Sequence, residues 1–198
     1  MSIVDLYILN TKDINIDILS KSSFLKNEDF AFVEKYKLEE AKKEKLLSQY
    51  LKNKYIGTYT LNEFGKPITK GKFFNVSHSK GFVVLAVSND RPVGVDIEVN
   101  RNIEDNFVKF VTNKEELSYI NNSFDFFKIW TSKESLLKCI GTGINKRMNE
   151  VPGLPIDGNR EYNGQIYYTK SVIIDDLIIS ICLSGSDDFN IRIINEKI

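Results

Sequence analysis

The chain has 198 residues, which fits one large domain or two small halves of about 100 residues each. Lysine plus arginine and aspartate plus glutamate both number 27, so the formal net charge is zero. A dedicated duplex-DNA binder usually has a strong basic excess, and we therefore expect no nucleic acid partner. Hydrophobic residues make up 42% of the chain and aromatic residues 12%, enough for a sizeable core.

The N-terminal segment and the cysteines bear on the cellular compartment. The first residues, MSIVDLYILN, do not show a basic segment followed by an apolar one, so we expect no signal peptide. No apolar run approaches the roughly 18 residues of a membrane span. Cys139 and Cys182 lie far apart, without the spacing of a zinc site or a disulfide framework. We expect a cytoplasmic protein that does not associate with membranes.

In the first third of the chain, alternating apolar residues predict a strand over 3–9. Helices are predicted over 27–36 and 38–55, the second with an apolar stripe at helical spacing. Gly57 follows as a plausible end of the second helix. The segment 63–67, EFGKP, is a turn signal, because glycine and proline supply special backbone angles.

The rest of the chain alternates strand and helix patterns. The runs 82–88 and 92–99 predict two strands, which we interpret as one hairpin. Helical patterns follow over about 104–121 and 124–140. The tail predicts strands over the segments 165–169, 171–174 and 177–183, with Asp175-Asp176 as a turn. This order of elements indicates a mixed α/β or α+β fold.

The strand over 92–99 contains two acids, Asp96 and Glu98. Residues i and i+2 share one face of a strand, so both carboxylates point the same way, while Val95 and Ile97 pack on the other face. Neighbouring carboxylates raise each other's pKa unless a cation lies between them, and a hard divalent ion with oxygen ligands would suit this pair. The alternative is a solvated strand face that carries two acids.

The helix predicted over 126–140 has an apolar face with a lysine inside it. The apolar residues of this face are Phe126, Ile129, Trp130, Leu136, Leu137 and Ile140. Lys133 falls within their arc, which costs free energy unless its ammonium reaches solvent or meets an anion. Glu134 and Lys138 line one edge, and at i and i+4 they could be an ordinary surface ion pair.

The segment 75–79, Asn-Val-Ser-His-Ser, precedes the strand over 82–88 and is interpreted as a loop. His78 is the single histidine of the chain. It is either a hydrogen-bonded structural residue or, between Ser77 and Ser79, a contact to phosphate oxygens. Lys66 offers a cation nearby in sequence. No glycine-rich phosphate loop is present, so a phosphate ligand would be held by side chains and a metal.

Four motifs in this order resemble the 4'-phosphopantetheinyl transferase superfamily, in its larger, surfactin-synthetase-activating type. They are Gly-Lys-Pro at 65–67, FNVSHS at 74–79, VGVDIE at 93–98 and WTSKESLLK at 130–138. The resemblance implies an α+β fold of two similar halves related by a pseudo-twofold axis, each a small sheet packed on helices. The halves would be residues 1–100 and 101–198, with the active site in the cleft between them.

The resemblance also implies an activity. The family transfers the 4'-phosphopantetheine moiety of coenzyme A to a serine of an apo carrier protein, acyl or peptidyl, and releases adenosine 3',5'-bisphosphate. A serine hydroxyl attacks the β-phosphate of coenzyme A in the presence of Mg²⁺. We therefore expect a magnesium-dependent transferase that acts as a monomer, with coenzyme A as co-substrate and a carrier protein as partner.

Residue roles follow from the matching positions. Asp96, Glu98 and Glu134 match the metal-binding acids and would hold Mg²⁺ against the pyrophosphate. Glu134 would also be the base for the incoming serine. Lys138 matches a lysine that contacts the pyrophosphate and could stabilise or protonate the leaving group.

Further positions match the family's coenzyme A contacts. Ser77 and His78 match residues that contact its phosphates, and Lys66 with Pro67 matches the turn on the adenine side. Lys133 matches another basic position of the helix motif and is expected among the residues that bind coenzyme A.

The second helix departs from the family pattern. The family carries an arginine two residues before a Leu-Leu pair, among the residues that bind the 3'-phosphate, and here that position is Glu44. Lys42, Lys43 and Lys45 surround it and could substitute, or they could form a solvated helix face. The contacts to the 3'-phosphate are therefore open.

Two other functions remain as alternatives. One is a catalytically inactive module that binds coenzyme A or a carrier protein, although a pure binder need not keep three metal ligands. The other is a metal-dependent phosphohydrolase, although such sites generally need more acids or histidines around paired ions.

Overall fold

The computed structural model describes residues 1–143 and 147–198, without the side chains of residues 16 and 17. Over these residues the fold is mixed α+β, as predicted. The helices are α1 Ile16–Ser20, α2 Asn27–Val33, α3 Glu39–Tyr55, α4 Asp105–Val111, α5 Lys114–Tyr119 and α6 Ser123–Ile140. The strands are β1 Ser2–Asn10, β2 Thr60–Leu61, β3 Pro67–Ile68, β4 Phe73–Ser79, β5 Phe82–Ser88, β6 Val93–Val99, β7 Gly158–Tyr162, β8 Gln165–Ile174, β9 Leu177–Ser184 and β10 Phe189–Asn195.

Two four-stranded sheets form the framework. The first has the strand order β10-β1-β5-β4, in which β1 pairs in parallel with β10 and antiparallel with β5. The second has the order β6-β9-β8-β7 and is antiparallel throughout. We call them the N-terminal and C-terminal sheets. Strands β2 and β3 form a separate small hairpin.

The sheets pack face to face, and each is covered on its outer face by a long helix. Apolar residues from β1 and β5 meet those from β6 and β9 in the core between the sheets. The other face of the N-terminal sheet packs on α3, and the other face of the C-terminal sheet packs on α6. The layers are therefore α3, N-terminal sheet, C-terminal sheet and α6.

The hairpin predicted from 82–88 and 92–99 is wrong, although both strands exist. Strand β5 pairs with β4 and β1 in the N-terminal sheet, whereas β6 pairs with β9 in the C-terminal sheet. The tight turn lies instead between β4 and β5, where Lys80 and Gly81 have φ angles of 48° and 82°. Positive φ at both central residues is the geometry of a two-residue hairpin. Both edges of β5 are thus occupied, and β6 must find another partner.

The loop predicted over 75–79 is also wrong, because these residues belong to β4. Their polar side chains give a weak strand signal, and their pairing with β5 decides the conformation. Strand β8 is one strand of 10 residues where two were predicted, and the strands β7 and β10 were not predicted. The helical pattern over 104–121 is two helices, α4 and α5, because Asn113 caps a new helix with its side chain on Glu116 N.

Other expectations are confirmed. The strand over 3–9, the long helix ending near Gly57 and the turn around Gly65 are present. Asp175, with φ of 51°, turns the chain between β8 and β9. The division into residues 1–100 and 101–198 stays a prediction, and the sheets do not follow it, because β6 joins the C-terminal sheet and β10 the N-terminal sheet. Among the described helices, none combines the length and apolar character that a membrane span requires.

Candidate active site

The two acids of β6 lie on the outer face of the C-terminal sheet. Val95 and Ile97 are buried in the core between the sheets. Asp96 and Glu98 therefore point away from that core, as the alternation of side chains along a strand predicts. They point toward α6 and the edge of β4.

Gly94 lets α6 come close to these acids. A Cβ atom at Gly94 would stand 2.0 Å from the carbonyl oxygen of Ser135 and 2.3 Å from the amide nitrogen of Cys139. Any side chain larger than hydrogen would push the helix backbone away. The close contact of strand and helix is what brings side chains of α6 within reach of Asp96.

Asp96 is buried and accepts two hydrogen bonds. Its Oδ1 atom lies 2.8 Å from Ser77 Oγ and 2.6 Å from Lys138 Nζ. Lys138 Nζ also donates to Ser77 Oγ at 2.9 Å. Burial raises the pKa of Asp96, and the Lys138 ammonium opposes that effect. A strand acid, an edge-strand serine and a helix lysine thus form one hydrogen-bonded group.

Glu134 lies next to this group and lacks such support. Its exposed fraction is 5%, and its Oε1 atom is buried without a hydrogen-bond partner within the described chain. Burial raises the pKa of Glu134 from its ordinary 4.5 to about 7, and the negative charge of Asp96 adds to the effect. The alternative of an ordinary ion pair between Glu134 and Lys138 is not what the structure shows, because Lys138 pairs with Asp96.

Glu98 occupies the outer end of the same strand face. Its Oε2 atom accepts hydrogen bonds from Ser79 Oγ and from Arg101 Nη1, both at 2.7 Å. The guanidinium of Arg101 also lies over the ring of Phe127, 4.6 Å from its centroid. Arg101 was not among the predicted residues. Its place two residues after the end of β6 is the only signal in the sequence that could have suggested it.

A cleft of about 390 Å³ opens beside Glu134 and Lys138. Its lining comes from the β2–β3 hairpin, β4, α6 and the segment after α6. The lining residues are Phe64, Gly65, Lys66, Pro67, Asn75, Glu134, Leu137, Lys138, Gly141 and Gly143. Four predicted residues from two distant segments, Lys66 with Pro67 and Glu134 with Lys138, therefore line one cleft. Phe64 and Asn75 belong to the quoted motifs or their flanks but were not predicted as site residues.

Lys66 joins the β2–β3 hairpin to the C-terminal end of α6. Its Nζ atom donates to the carbonyl oxygen of Cys139 at 2.6 Å, which satisfies a carbonyl in the last turn of the helix. Asn62 Nδ2 donates to the carbonyl oxygen of Gly141, at 3.4 Å. Burial lowers the pKa of Lys66. Lys66 thus lines the cleft while its ammonium caps the helix.

Ser77 and His78 are adjacent on β4 and therefore point to opposite faces. Ser77 points to Asp96, whereas His78 points to α3. There Lys45 Nζ lies 2.8 Å from His78 Nε2, and Glu44 Oε2 lies 2.9 Å from His78 Nδ1. Because an ammonium only donates, Nε2 accepts, and Nδ1 carries the proton that it donates to Glu44.

Glu44 has a defined structural role at the position where the family carries an arginine. It also accepts a hydrogen bond of 2.7 Å from the backbone nitrogen of Gly81, in the β4–β5 turn. Burial opposes ionisation, but the hydrogen bonds from His78 and Gly81 hold the pKa of Glu44 below its usual value. Both ring nitrogens of His78 thus have hydrogen-bond partners on α3, as expected for the alternative in which His78 is a structural residue.

Lys133 is not brought into the cleft. Its side chain is fully buried on the far side of α6, where its ammonium meets Glu116. The sequence pattern predicted that the ammonium of this lysine either reaches solvent or meets an anion, and the structure shows the anion. The pattern did not identify Glu116, which lies 17 residues earlier in the numbering of the chain.

A larger cavity of about 770 Å³ lies elsewhere, between the ends of the two sheets. Ile8, Phe82, Val99 and Leu177 are among its lining residues, and none of the predicted site residues lines it. The chemistry of the cleft, which is lined by the buried acid Glu134 and by Lys66 and Lys138, makes the smaller volume the better candidate for an active site.

Within residues 1–143 and 147–198, no group of three or more histidine, cysteine, aspartate or glutamate side chains is arranged to hold a metal ion. The donor chemistry of Asp96, Glu98 and Glu134 still suits a hard divalent cation, because all three offer carboxylate oxygens. The raised pKa of Glu134 and its unpartnered oxygen are a situation that a cation relieves. The magnesium site stays a prediction, with the donor chemistry in its favour.

Comparison with known proteins points to one family. Residues 92–182 match the model of the 4'-phosphopantetheinyl transferase superfamily. The chain is 38% identical over 90 residues to the 4'-phosphopantetheinyl transferase gsp of Aneurinibacillus migulanus, an alignment that covers 42% of this chain and 38% of that protein.

Two relatives from Bacillus subtilis are similar over a slightly longer part. The 4'-phosphopantetheinyl transferase ffp is 33% identical over 107 residues, covering 49% of this chain and 47% of that protein. The 4'-phosphopantetheinyl transferase Sfp of strain 168 is 30% identical over 106 residues, with the same two coverages of 49% and 47%.

The chain thus spans less than half the length of these curated relatives. The segment matched by the superfamily runs from just before β6 to β9 and contains Asp96, Glu98, Glu134 and Lys138, whereas Lys66, Pro67, Ser77 and His78 lie outside it. Over residues 92–182 the chain is therefore similar to the 4'-phosphopantetheinyl transferase superfamily, which confirms the resemblance that its motifs indicated.

Proposed function

We propose that this chain transfers the 4'-phosphopantetheine moiety of coenzyme A to a serine of an apo acyl or peptidyl carrier protein, with Mg²⁺ as cofactor. The observation that carries the proposal is the cleft in which Lys66, Pro67, Glu134 and Lys138 meet, directly beside Asp96. The names of the relatives, all 4'-phosphopantetheinyl transferases, support the same chemistry.

The residues of the cleft suit the proposed reaction. The serine oxygen of the carrier forms a bond to the β-phosphorus of coenzyme A while the bond from that phosphorus to the bridging oxygen breaks. The serine proton passes to Glu134, whose buried Oε1 atom has no hydrogen bond within the described chain and is therefore available to accept it. Lys138 places a positive charge beside the leaving phosphate, and adenosine 3',5'-bisphosphate departs with the electron pair.

The acids of the site have a second role in this proposal. Asp96, Glu98 and Glu134 would hold Mg²⁺, which when bound supplies positive charge against the pyrophosphate. Ser77 holds the carboxylate of Asp96 in place, and Ser79 holds that of Glu98. The pair of serines thus limits the movement of both acids before any ligand arrives.

The surroundings of Glu134 suit a catalytic base better than a residue that only binds coenzyme A. An acid that is buried, lacks a hydrogen bond at Oε1 and lies beside Asp96 costs free energy in the folded protein. Such perturbed groups concentrate at catalytic sites, because the perturbation matches the group to proton transfer. The burial and missing hydrogen bond of Glu134 favour an active transferase over an inactive coenzyme A module.

The proposal extends to the architecture and the setting of the protein. The two four-stranded sheets, each covered by one long helix, support a pseudo-twofold relation between two halves, the N-terminal sheet with α3 and the C-terminal sheet with α6. We propose that coenzyme A and the carrier serine meet in the cleft at the junction of the halves, that the active species is a monomer, and that it works in the cytoplasm.

The experiment that tests the function is a mass-shift assay. The purified chain is incubated with coenzyme A, Mg²⁺ and each of several apo carriers from fatty-acid, polyketide and nonribosomal-peptide pathways. We expect at least one carrier to gain the mass of one phosphopantetheine. A carrier whose acceptor serine is replaced by alanine should gain nothing, and neither should a reaction with the Glu134→Gln enzyme.

The other outcomes separate the alternatives. Binding of coenzyme A in calorimetry, without a mass gain on any carrier, would favour the inactive binding module. Release of phosphate from simple phosphoesters would favour the phosphohydrolase. With folded protein and fresh coenzyme A, a lack of both binding and transfer would contradict the proposal.

A further inference from the structure

The side of α6 that faces away from the cleft carries a buried ion pair that the proposed reaction does not use. Lys133 is fully buried, and Glu116 of α5 has an exposed fraction of 1%. Their charged atoms, Lys133 Nζ and Glu116 Oε2, lie 2.6 Å apart.

The ammonium of Lys133 has no donor left for a ligand. Besides Glu116, it donates to the carbonyl oxygen of Val111 at 2.7 Å and to that of Met148 at 2.8 Å. A lysine ammonium has three N–H donors, and these three acceptors account for all of them. Contact with a coenzyme A phosphate would require the Lys133 ammonium to break these three hydrogen bonds. The buried carboxylate of Glu116 would then lose its ion pair.

Glu116 is fully used as well. Its Oε1 atom accepts from the backbone nitrogen of Gly153 at 2.7 Å, and its Oε2 atom accepts from that of Asn113 at 2.9 Å. A Cβ atom at Gly153 would lie 2.8 Å from Glu116 Oε1 and 2.9 Å from Lys133 Cε, so the loop packs directly on the pair. The pair therefore joins α6 to α5, to the end of α4 and to the segment around Gly153.

The pair lies one residue from the acid of the cleft. Lys133 and Glu134 are consecutive on α6, so their side chains are separated by about 100° around the helix axis. Glu134 Oε1 has no hydrogen bond of its own, and its direction thus depends on the rotation of the helix. The close contact at Gly94 limits the distance of α6 from β6, and the bonds from Thr131 to Ser180 and from Lys138 to Asp96 hold the side of the helix that faces the sheet. The ion pair of Lys133 holds the opposite side and completes the contacts that resist rotation.

We infer that Glu116 and Lys133 are positioning residues, which set the rotation of α6 and so direct Glu134 toward Asp96. The inference rests on the proposed transfer and replaces the expectation that Lys133 binds coenzyme A. A buried ion pair is weak evidence for stability, since apolar replacements are often neutral. Its effect on the geometry of the reacting groups is the property to test.

The test compares Glu116→Gln, Lys133→Met and the double variant with the unaltered chain. Initial rates of transfer from coenzyme A to an apo carrier give kcat and the KM for coenzyme A. We expect kcat to fall about tenfold or more in all three variants, because small misplacements of a reacting group are costly, and KM to change less than about twofold. The double variant should lose no more than the worse single variant, since both act through one contact.

A second readout is independent of activity. Trp130 is the single tryptophan of the chain and lies on α6, three residues before Lys133, with its ring 5.3 Å from that of Phe107. Its emission therefore reports a rotation of α6, and we expect a shift in the three variants. The control is Lys170→Met with Asp188→Asn, which removes a 2.6 Å ion pair on the other side of the C-terminal sheet. The control should leave emission and kcat unchanged.

Three results would overturn the inference. A raised KM in Lys133→Met with normal kinetics in Glu116→Gln would make Lys133 a coenzyme A ligand. Normal kcat per folded molecule in all three variants, with folding measured by circular dichroism, would make the pair purely structural. The double variant buries no unpaired charge, so it keeps the test valid if a single variant unfolds. An unchanged Trp130 emission in the double variant would exclude a rotation of α6. If the unaltered chain transfers nothing, the proposed function fails, while the emission still tests the positioning.

Discussion

The ammonium of Lys138 lies 2.6 Å from Asp96 on the neighbouring strand, although Glu134 precedes it by one helical turn. The lysine therefore neutralises the strand acid and leaves the helix acid without an ion pair. The result is a cleft with one paired and one unpaired carboxylate. This difference gives the two acids distinct chemistry, and it underlies the first predictions.

Lys138→Met should lower kcat of transfer by about 10²-fold, with a smaller effect on the KM for coenzyme A, because the lysine acts on charge that develops in the transition state. The measurement is the initial rate of mass gain on an apo carrier. Lys128→Met is the matched control, since Lys128 lies on the same helix and pairs with Asp125 at 3.2 Å. Equal rates for Lys138→Met and the control would contradict the assigned role.

The stability of the metal-free protein should depend on pH through Glu134. Its pKa is about 7 in the folded protein and 4.5 ordinarily, so its contribution to folding is fully present below pH 4.5 and is lost as the pH rises through 7. Relative to Glu134→Gln, the unaltered chain should lose roughly 2–4 kcal/mol of unfolding free energy between pH 4.5 and 8. Urea unfolding at both pH values measures this.

Glu115→Gln serves as the control for this pH dependence, because Glu115 is exposed on α5. It should follow the unaltered chain at both pH values. Parallel curves for the unaltered chain and Glu134→Gln would show that Glu134 ionises normally, and the argument for a base in the cleft would then be lost.

Mg²⁺ should raise the melting temperature of the unaltered chain, because an ion that binds only the folded state stabilises it by mass action. A chelator should reverse the gain. Asp96→Asn should abolish the response, since Asp96 would contribute a carboxylate oxygen to the ion. The control is Asp90→Asn, which alters an acid at the turn before β6, outside the cleft. A response that persists in Asp96→Asn would place the ion elsewhere.

Gly94→Ala should destabilise the fold by about 3 kcal/mol or more, at the upper end of the cost of overpacking a core. The added Cβ would meet backbone atoms of α6 at 2.0 and 2.3 Å, and a helix backbone cannot move aside as a flexible side chain can. Thermal or urea unfolding measures the loss. Gly57→Ala, with φ of 78° and open space around it, should cost only about 1–2 kcal/mol. Equal costs at the two glycines would contradict the close packing.

Phe64→Ala should raise the KM for coenzyme A about tenfold and leave kcat nearly unchanged, because a ring that stacks on a base contributes about 1–3 kcal/mol to binding. Phe64 is 53% exposed and lines the cleft beside Lys66 and Pro67. Leu61→Ala is the control, because Leu61 lies on the same hairpin and is also exposed to solvent. An unchanged KM in Phe64→Ala would exclude stacking on this ring.

Local patterns in the sequence were enough for several elements of the site. The alternation along β6 placed Asp96 and Glu98 on one face. The helical arc of α6 showed that the ammonium of Lys133 must either reach solvent or meet an anion. Both deductions depend on periodicities of the backbone, which a short segment contains in full. The ordered motifs indicated the family, which the comparison over residues 92–182 confirmed.

Such local patterns could not predict which strands pair with one another. The sequences of β5 and β6 both strongly favour strands, and neither sequence indicates that the two strands join different sheets. The strand β4 was predicted as a loop, because its polar side chains give a weak strand signal. In the structure one of them bridges to β6, where Asn75 Oδ1 accepts a hydrogen bond of 3.0 Å from Val95 N. Contacts between segments far apart in the chain decide these points.

The amino-acid sequence by itself determined which side chains share a strand face or a helix arc, and which family their order resembles. Only the tertiary structure decided their partners: Asp96 for Lys138, Glu116 for Lys133 and Glu44 for His78. The physical reason is that a partner is chosen by proximity in the folded chain. That proximity depends on the packing of α6 on β6 and of α3 on the N-terminal sheet, which no local periodicity encodes.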